Sequence, residues 1–180
     1  MKHYLSFVSM VLAAWLSGLT HVAMADPIPE YEMKAAYLYN FATFTNWPTN
    51  TSNSAQNSAV RLCVFGTDNF GGALEKLTRT PTGGMHIALS YIANIKDANA
   101  CQILFIDASE LKNSAEIIKY LVNSPVLTVT DNHELFREGV MIGLFLDNKR
   151  LTFDVDYTLA QQAKLSISSK LLRVARNVKQ

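Results

Sequence analysis

The sequence predicts an α/β fold: a mostly parallel central sheet with helices on both faces and an antiparallel hairpin toward the C-terminus. Three observations predict it. Several apolar runs, residues 60–65, 101–106 and 126–129 among them, are near-continuous rather than alternating, which is the pattern of strands buried on both faces. Segments with helical spacing separate them, and strand–helix alternation gives parallel strands covered on both sides. Two further runs, 141–146 and 151–155, flank Asp147-Asn148-Lys149-Arg150, which is the spacing of a hairpin.

The first element of the sheet domain is a helix over residues 31–47. Met33, Tyr37, Phe41, Phe44 and Trp47 recur at steps of four or three, one helical face. Ala36 and Asn40 fall on or beside that stripe, Pro29 suits the helix start and Pro48 its end. With Glu32 and Lys34 as the charges in its middle, the helix lacks the basic face of a membrane-surface helix. It is expected to cover the flat face of a sheet. An Asn/Ser-rich loop, 49–58, leads to the strand 60–65, which Gly66-Thr67-Asp68 ends. Phe70, Ala73, Leu74 and Leu77 then mark a helix with Asp68 placed to cap it. Pro81 and Gly83-Gly84 form a turn before a strand at 86–91. A strand at 101–106 is followed by Asp107 and a short helix bearing Ile117, Ile118 and Leu121, which Ser114 can cap. Strand 126–129, a polar turn or short helix over 131–138, and the hairpin follow. Residues 167–178 close the chain as a helix with Leu171, Val174 and Val178 inward and Ser168 as its cap.

The N-terminus predicts export. Lys2 gives a positive start, residues 5–19 an apolar run, and Ala23-Met24-Ala25 a small-x-small cleavage site, which together make a signal peptide. Cleavage after Ala25 leaves residues 26–180, enough for one domain with a real core. The apolar run is shorter than the roughly 20 residues a membrane span needs, and no cysteine follows it for acylation. The chain carries 16 basic and 15 acidic residues, so losing Lys2 leaves the mature part neutral. No bulk field attracts a polyanion, and nucleic acid is not an expected partner.

Two cysteines, Cys63 and Cys101, remain after cleavage. In an oxidising compartment two cysteines commonly pair; a buried free pair is the alternative. No metal site is expected, because His86 and His133 lie at no ligand spacing from a cysteine. The turn 66–72 has neither GxGxxG spacing nor the Lys-Ser/Thr of a P-loop. Asp68, Asp107 and Asp131 follow strands, where α/β sheets place sites, and with Thr128, Thr130 and Lys149 they faintly outline a phospho-receiver. Asp68 stands alone, however, and Lys149 lies in the hairpin turn, so turn and capping roles are expected. There is no GxSxG elbow. Asp154 and Asp156 share one side of a strand and are expected to lie exposed, as a polar sheet edge or a partner surface. No catalytic residue, cofactor or metal is predicted, and an enzyme is not expected.

The opening Ala35-Ala36-Tyr37-Leu38-Tyr39-Asn40-Phe41 through Asn46-Trp47-Pro48 and the closing Arg150–Asp156 through Ile167-Ser168-Ser169-Lys170-Leu171-Leu172, with Leu62-Cys63-Val64 and Cys101-Gln102-Ile103-Leu104, resemble the YfiR-like family of periplasmic proteins. The likeness spans essentially the whole mature chain. It implies a small α/β domain that binds the periplasmic sensory part of an inner-membrane diguanylate cyclase and represses it, keeping cyclic di-GMP low and biofilm in check. It also implies that an outer-membrane lipoprotein can sequester the repressor, and that Cys63 and Cys101 form a structural disulfide. Three positions depart from the family pattern: Asp156 where Asn is usual, Lys164 where Gly precedes the ISS helix, and Gly143 where some members carry a second cysteine pair. On this reading the final hairpin and the turn after it carry the partner surface, through Ile142, Asp154, Asp156, Leu165 and Ser168. A periplasmic small-molecule-binding module that signals to a membrane kinase or transporter is the alternative. The sequence does not set the oligomeric state, a homodimer included.

Overall fold

The computed structural model describes residues 29–48, 59–79 and 85–180. The expected signal peptide, the expected loop over 49–58 and the expected turn at Pro81 and Gly83-Gly84 lie outside the described residues.

The opening helix, α1 (Glu30–Thr43), follows Pro29 and ends where Phe44 N donates to Asn40 O. It stops short of Trp47. Thr45–Asn46 is instead a strand, β1, and Trp47 Nε1 donates to Gln102 O at 3.1 Å. The buried stripe is accordingly shifted: Lys34, Ala35, Leu38, Phe41 and Ala42 face inward, while Ala36 and Asn40 are exposed and Met33 and Tyr37 are half-buried. Tyr37 sits at the rim because its hydroxyl needs a partner, which it finds in Leu151 O at 3.3 Å. Leu38 and Phe41 do the apolar work, each contributing about 1.5–3 kcal/mol by burial. Lys34 is buried yet charged, and Asp131 Oδ2 and Glu30 Oε1, each 2.6 Å away, compensate it.

The remaining elements are β2 (Ala59–Phe65), α2 (Ala73–Arg79), β3 (His86–Ile92), β4 (Ile103–Ile106), α3 (Ser114–Leu121), β5 (Leu127–Thr130), α4 (His133–Glu138), β6 (Ile142–Asp147), β7 (Arg150–Asp156), α5 (Tyr157–Gln162), β8 (Ser166–Ile167), α6 (Ser169–Val174) and β9 (Asn177–Lys179), with 3-10 helices at Ile95–Ala100 and Ala108–Asn113. Seven strands form the main sheet in the order β3-β2-β4-β5-β6-β7-β9. Every neighbouring pair is parallel except the β6–β7 hairpin. β1 and β8 make a separate antiparallel pair, Thr45 opposite Ile167.

Strand side chains alternate between two cores. Leu62, Val64, Ile103, Phe105, Leu127, Val129, Ile142, Leu144, Phe153 and Val155 pack on the face covered by α1, α2, α5 and α6. Cys63, Phe65, Leu104 and Ile106 pack on the other, under α3 and the 3-10 segment at Ile95–Ala100. A sheet covered on both faces in this way matches the run-like strand sequences.

Several local expectations need correction. The closing helix ends at Val174 and the chain turns into β9; Val174 is exposed, not inward. α5 and β8 were not predicted: their apolar residues are too few to show a period. Ser114 does not cap a helix but begins α3, following a 3-10 helix capped by Asp107. Asp68 accepts from Phe70 N at 2.9 Å and so shapes the turn ahead of α2 rather than capping it. Ser168 does cap α6, accepting from Lys170 N.

The cysteines are joined. Cys63 lies on β2 and Cys101 in the approach to β4, with Cα atoms 5.9 Å apart. The bond sits in the second core, where both residues are almost fully buried. It ties β2 to the chain entering β4, its sheet neighbour.

Candidate functional site

The site is built on the hairpin. Asn148 and Lys149 both adopt positive φ, 47° and 63°, the two-residue turn whose twist suits a hairpin. Asp147 pairs with Arg150 across it, and the register places Ile142 opposite Val155 and Gly143 opposite Asp154. Period-two alternation sends Phe153 and Val155 into the first core and Asp154 and Asp156 to the opposite face. On that face Gly143 is needed for packing: a Cβ there would overlap the rings of Phe145 and Phe136. That crowding is a physical reason for glycine at this position.

The two aspartates share a face, as alternation requires, but they are not exposed: Asp154 is 8% and Asp156 7% accessible. The reason is β9, which pairs in parallel with β7 and takes over the sheet edge. Arg176 grips Asp154 with a two-pronged contact, Nε to Oδ1 at 2.9 Å and Nη2 to Oδ2 at 2.7 Å. Asn177 Nδ2 donates to the same Oδ1 at 3.1 Å. Burial pushes the Asp154 carboxyl up, but the bonds from Arg176 and Asn177 outweigh it and hold the group below its usual value. Lys179 Nζ donates to Asp156 Oδ2 at 2.8 Å, while Asp156 Oδ1 accepts from Leu159 N at 3.2 Å and caps α5. Asparagine could make that cap equally well. Aspartate adds a charge, and Lys179 answers it.

Phe145 supports this arrangement. The Arg176 guanidinium lies 5.6 Å from the Phe145 ring centroid. His133 stacks on the same ring at 3.8 Å, nearly parallel at 11°, and Phe136 meets it edge-on. Between α4 and the β7–β9 edge runs a groove of about 460 Å³ lined by Phe136, Arg137, Glu138, Asp154, Asp156 and Lys179, among others.

The other three residues expected at the partner surface go elsewhere. Ile142 is fully buried in the first core, and Leu165 is 3% accessible. Neither can touch a partner directly. Ser168 is half-buried at the start of α6, its backbone N donating to Phe44 O. Next to Leu165, Lys164 holds φ +60°. Its N–H bonds Gln161 O and that of Leu165 bonds Ala160 O, both at 2.9 Å. This is the Schellman ending of a helix, whose left-handed position favours glycine; the lysine occupies it against that preference.

Arg176, Lys179, Phe145 and His133 complete the site and were missed. Arg176 and Lys179 stand three apart near the C-terminus, a spacing that puts two residues on one face of a helix but not of a strand, and the apolar residues around them favour helix too. Register with β7, which sequence does not show, decides the matter.

The strand-end acids are structurally occupied. At the crevice between the C-terminal ends of β2 and β4, where open α/β sheets bind ligands, the protein's own groups cross. Asn69 Nδ2 donates to Asp107 Oδ2 at 2.8 Å, and Thr67 N to Ser109 Oγ at 3.0 Å. Ser109 N donates to Asp107 Oδ1, and Gly66, at φ +98°, makes room for Ser109, Glu110 and Asp107, which a Cβ there would crowd. Asp131 accepts from Lys34 and from the Tyr31 hydroxyl. Thr128 Oγ1 accepts from Met141 N, and Thr130 Oγ1 from Asn132 N. Among the described residues no three His, Cys, Asp or Glu side chains gather as a metal site, and no helix is long and apolar enough to cross a membrane.

The fold is similar to that of a conserved domain protein from Vibrio cholerae O1 biovar El Tor, with TM-score 0.50 and 10% identity over 84% of this chain and 61% of that one. The ABC domain from Streptococcus pneumonia, solved in complex with L-Trp, matches with TM-score 0.47 and 8% identity over 66% of this chain and 55% of that one. The chain thus spans less than two thirds of the length of either, and at these identities the likeness is one of fold alone. The YfiR/HmsC-like family model matches residues 31–176, from the first turn of α1 to the arginine that grips Asp154, and the chain belongs to that family.

Proposed function

We propose that this protein is a non-enzymatic periplasmic regulator of diguanylate cyclase signalling, which binds the periplasmic sensory part of an inner-membrane cyclase and represses it. The observation that carries this reading is the family match over residues 31–176. The N-terminal residues 1–25 act as the signal peptide that exports the domain, cleaved after Ala25. The polar face around Asp154 and Asp156, with the groove beside α4, offers the contact surface. Ile142 and Leu165 support it from the core, and Ser168 holds the adjacent α6. An outer-membrane lipoprotein would compete for the free repressor. Deletion of the gene should raise cyclic di-GMP and biofilm, and affinity purification of the periplasmic protein should bring down a membrane cyclase. Unchanged cyclic di-GMP together with no co-purifying cyclase would sink this reading.

A second reading draws on the groove, whose volume of about 460 Å³ falls within the range of small-molecule sites. There the protein would bind a small polar ligand and pass the signal to a membrane kinase or transporter. Native mass spectrometry of protein taken from the periplasm would find a bound metabolite under this reading and the bare polypeptide mass under the first.

A further inference from the structure

We infer that β9 is a displaceable occupant of a docking slot on β7, and that the slot's external ligand is an extended basic segment of the membrane partner. The inference rests on the partner surface proposed above and specifies how that surface is opened.

The slot and its occupant differ in character. The acids are buried parts of the body: the side chains of Asp154 and Asp156 are 12% and 9% accessible. The cations belong to the occupant and remain wet, Arg176 at 33% and Lys179 at 75%. β9 has three residues and is paired to β7 by Asp154–Asn177, Val155–Val178 and Asp156–Lys179. It follows Val174, which is 69% exposed. Little apolar surface anchors it, so charge and a short ladder hold it in place.

Its departure would leave a specific demand. The three side-chain bonds that Asp154 accepts all come from residues 176 and 177. Asp156 would keep its cap to Leu159 N but lose Lys179. Bared, the two carboxylates lose the cations that neutralise them and stand beside the unpaired main-chain groups of the β7 edge. The bared edge therefore selects a strand that brings two cations at the spacing of Arg176 and Lys179. Adding a strand to a sheet edge supplies main-chain hydrogen bonds, and the paired charges supply specificity. Short edge elements with few buried contacts are also the ones that open locally, below the energy of global unfolding.

Two measurements on the full mature chain test this. Hydrogen exchange should show the β9 amides opening at least tenfold faster than those of β4, and faster still in D154N/D156N. Exchange of β9 only at the global rate would overturn the inference. The probe for the slot is a fluorescent acetyl-Ala-Arg-Asn-Val-Lys-Gln-amide peptide. R176A/K179A, whose own strand is loosened, should bind it at least roughly tenfold more tightly than the unaltered protein, and D154N/D156N should lose binding. Equal binding by all three, or by none, would overturn the slot. A dimer with exchanged C-terminal strands would assign it to a second copy and overturn the partner as occupant. Peptide binding without any cyclase partner would sink the cyclase reading and leave the slot standing; cyclase co-purification without peptide binding would do the reverse.

Discussion

The sheet is fastened at two joints by different chemistry. At the β2–β4 joint, Cys63 and Cys101 are bonded covalently inside an apolar core, among Phe65, Leu104 and Ile106. At the β7–β9 joint, Asp154 and Asp156 are held by Arg176, Asn177 and Lys179 beside an open groove. The first fastening has no polar group to titrate and nothing exposed to exchange. The second is reversible, half-wet and built from charges that another molecule could supply. On the proposed function, holding and releasing a partner calls for both: a rigid body and one edge that can be negotiated. The contrast locates the body at the cysteines and the negotiable edge at the C-terminus.

The largest effect should come from breaking the covalent joint. Its loop spans 38 residues, for which the chain-entropy model gives about 4 kcal/mol. Cys63→Ser/Cys101→Ser should lose up to that much in urea unfolding, and thiol titration of the native protein should find no free cysteine. A loss below about 1 kcal/mol would mean that the second core holds this joint unaided.

A smaller effect should follow at the ionic joint. Asp154→Asn keeps the shape but removes the charge that Arg176 grips, and because Arg176 is partly solvated the cost should be about 1–2 kcal/mol. Acid should act in the same place. The Asp154 carboxyl is held below its usual value in the folded protein, so its contribution is complete above an unfolded value of about 4 and disappears as pH falls through the depressed one. NMR of the Val178 methyls should therefore change at low pH before the β4 resonances do, and Asp154→Asn should abolish that early step. A single concerted transition in both regions would erase the distinction between the joints.

The smallest effect tests the link between them. Lys164 occupies a left-handed position at the end of α5, so Lys164→Gly should raise stability by about 0.5–1 kcal/mol in thermal unfolding. The gain should leave β9 exchange unchanged, since the strain lies ahead of β8. Slower β9 exchange in Lys164→Gly would place the strain within the edge itself.

Much of this molecule was legible in the sequence. The near-continuous runs at Leu62–Val64 and Ile103–Phe105 indicate strands buried on both faces, because both cores draw on them. The hairpin was visible in its four turn residues, and the common face of Asp154 and Asp156 in a period of two. The opening helix was visible too, with its stripe displaced: large aromatics look like core, yet Tyr37 needs an outlet for its hydroxyl and Leu38 fills the interior instead. Lys34 looked like an interruption and is buried, because Asp131, 97 positions away, supplies its counter-charge.

What sequence by itself determined is the set of elements that bury enough apolar surface to show a period, and through them the class of fold and the family. Tertiary structure alone decided the site. β9 has three residues, too few to display a preference, and only the register of Asn177 against Asp154 makes it a strand. That pairing turns two supposedly exposed aspartates into a buried, occupied slot. Local sequence carries hydrophobic periodicity because each side chain meets the same core. It carries no record of which distant cation will meet which carboxylate, because that is settled only when the chain closes on itself.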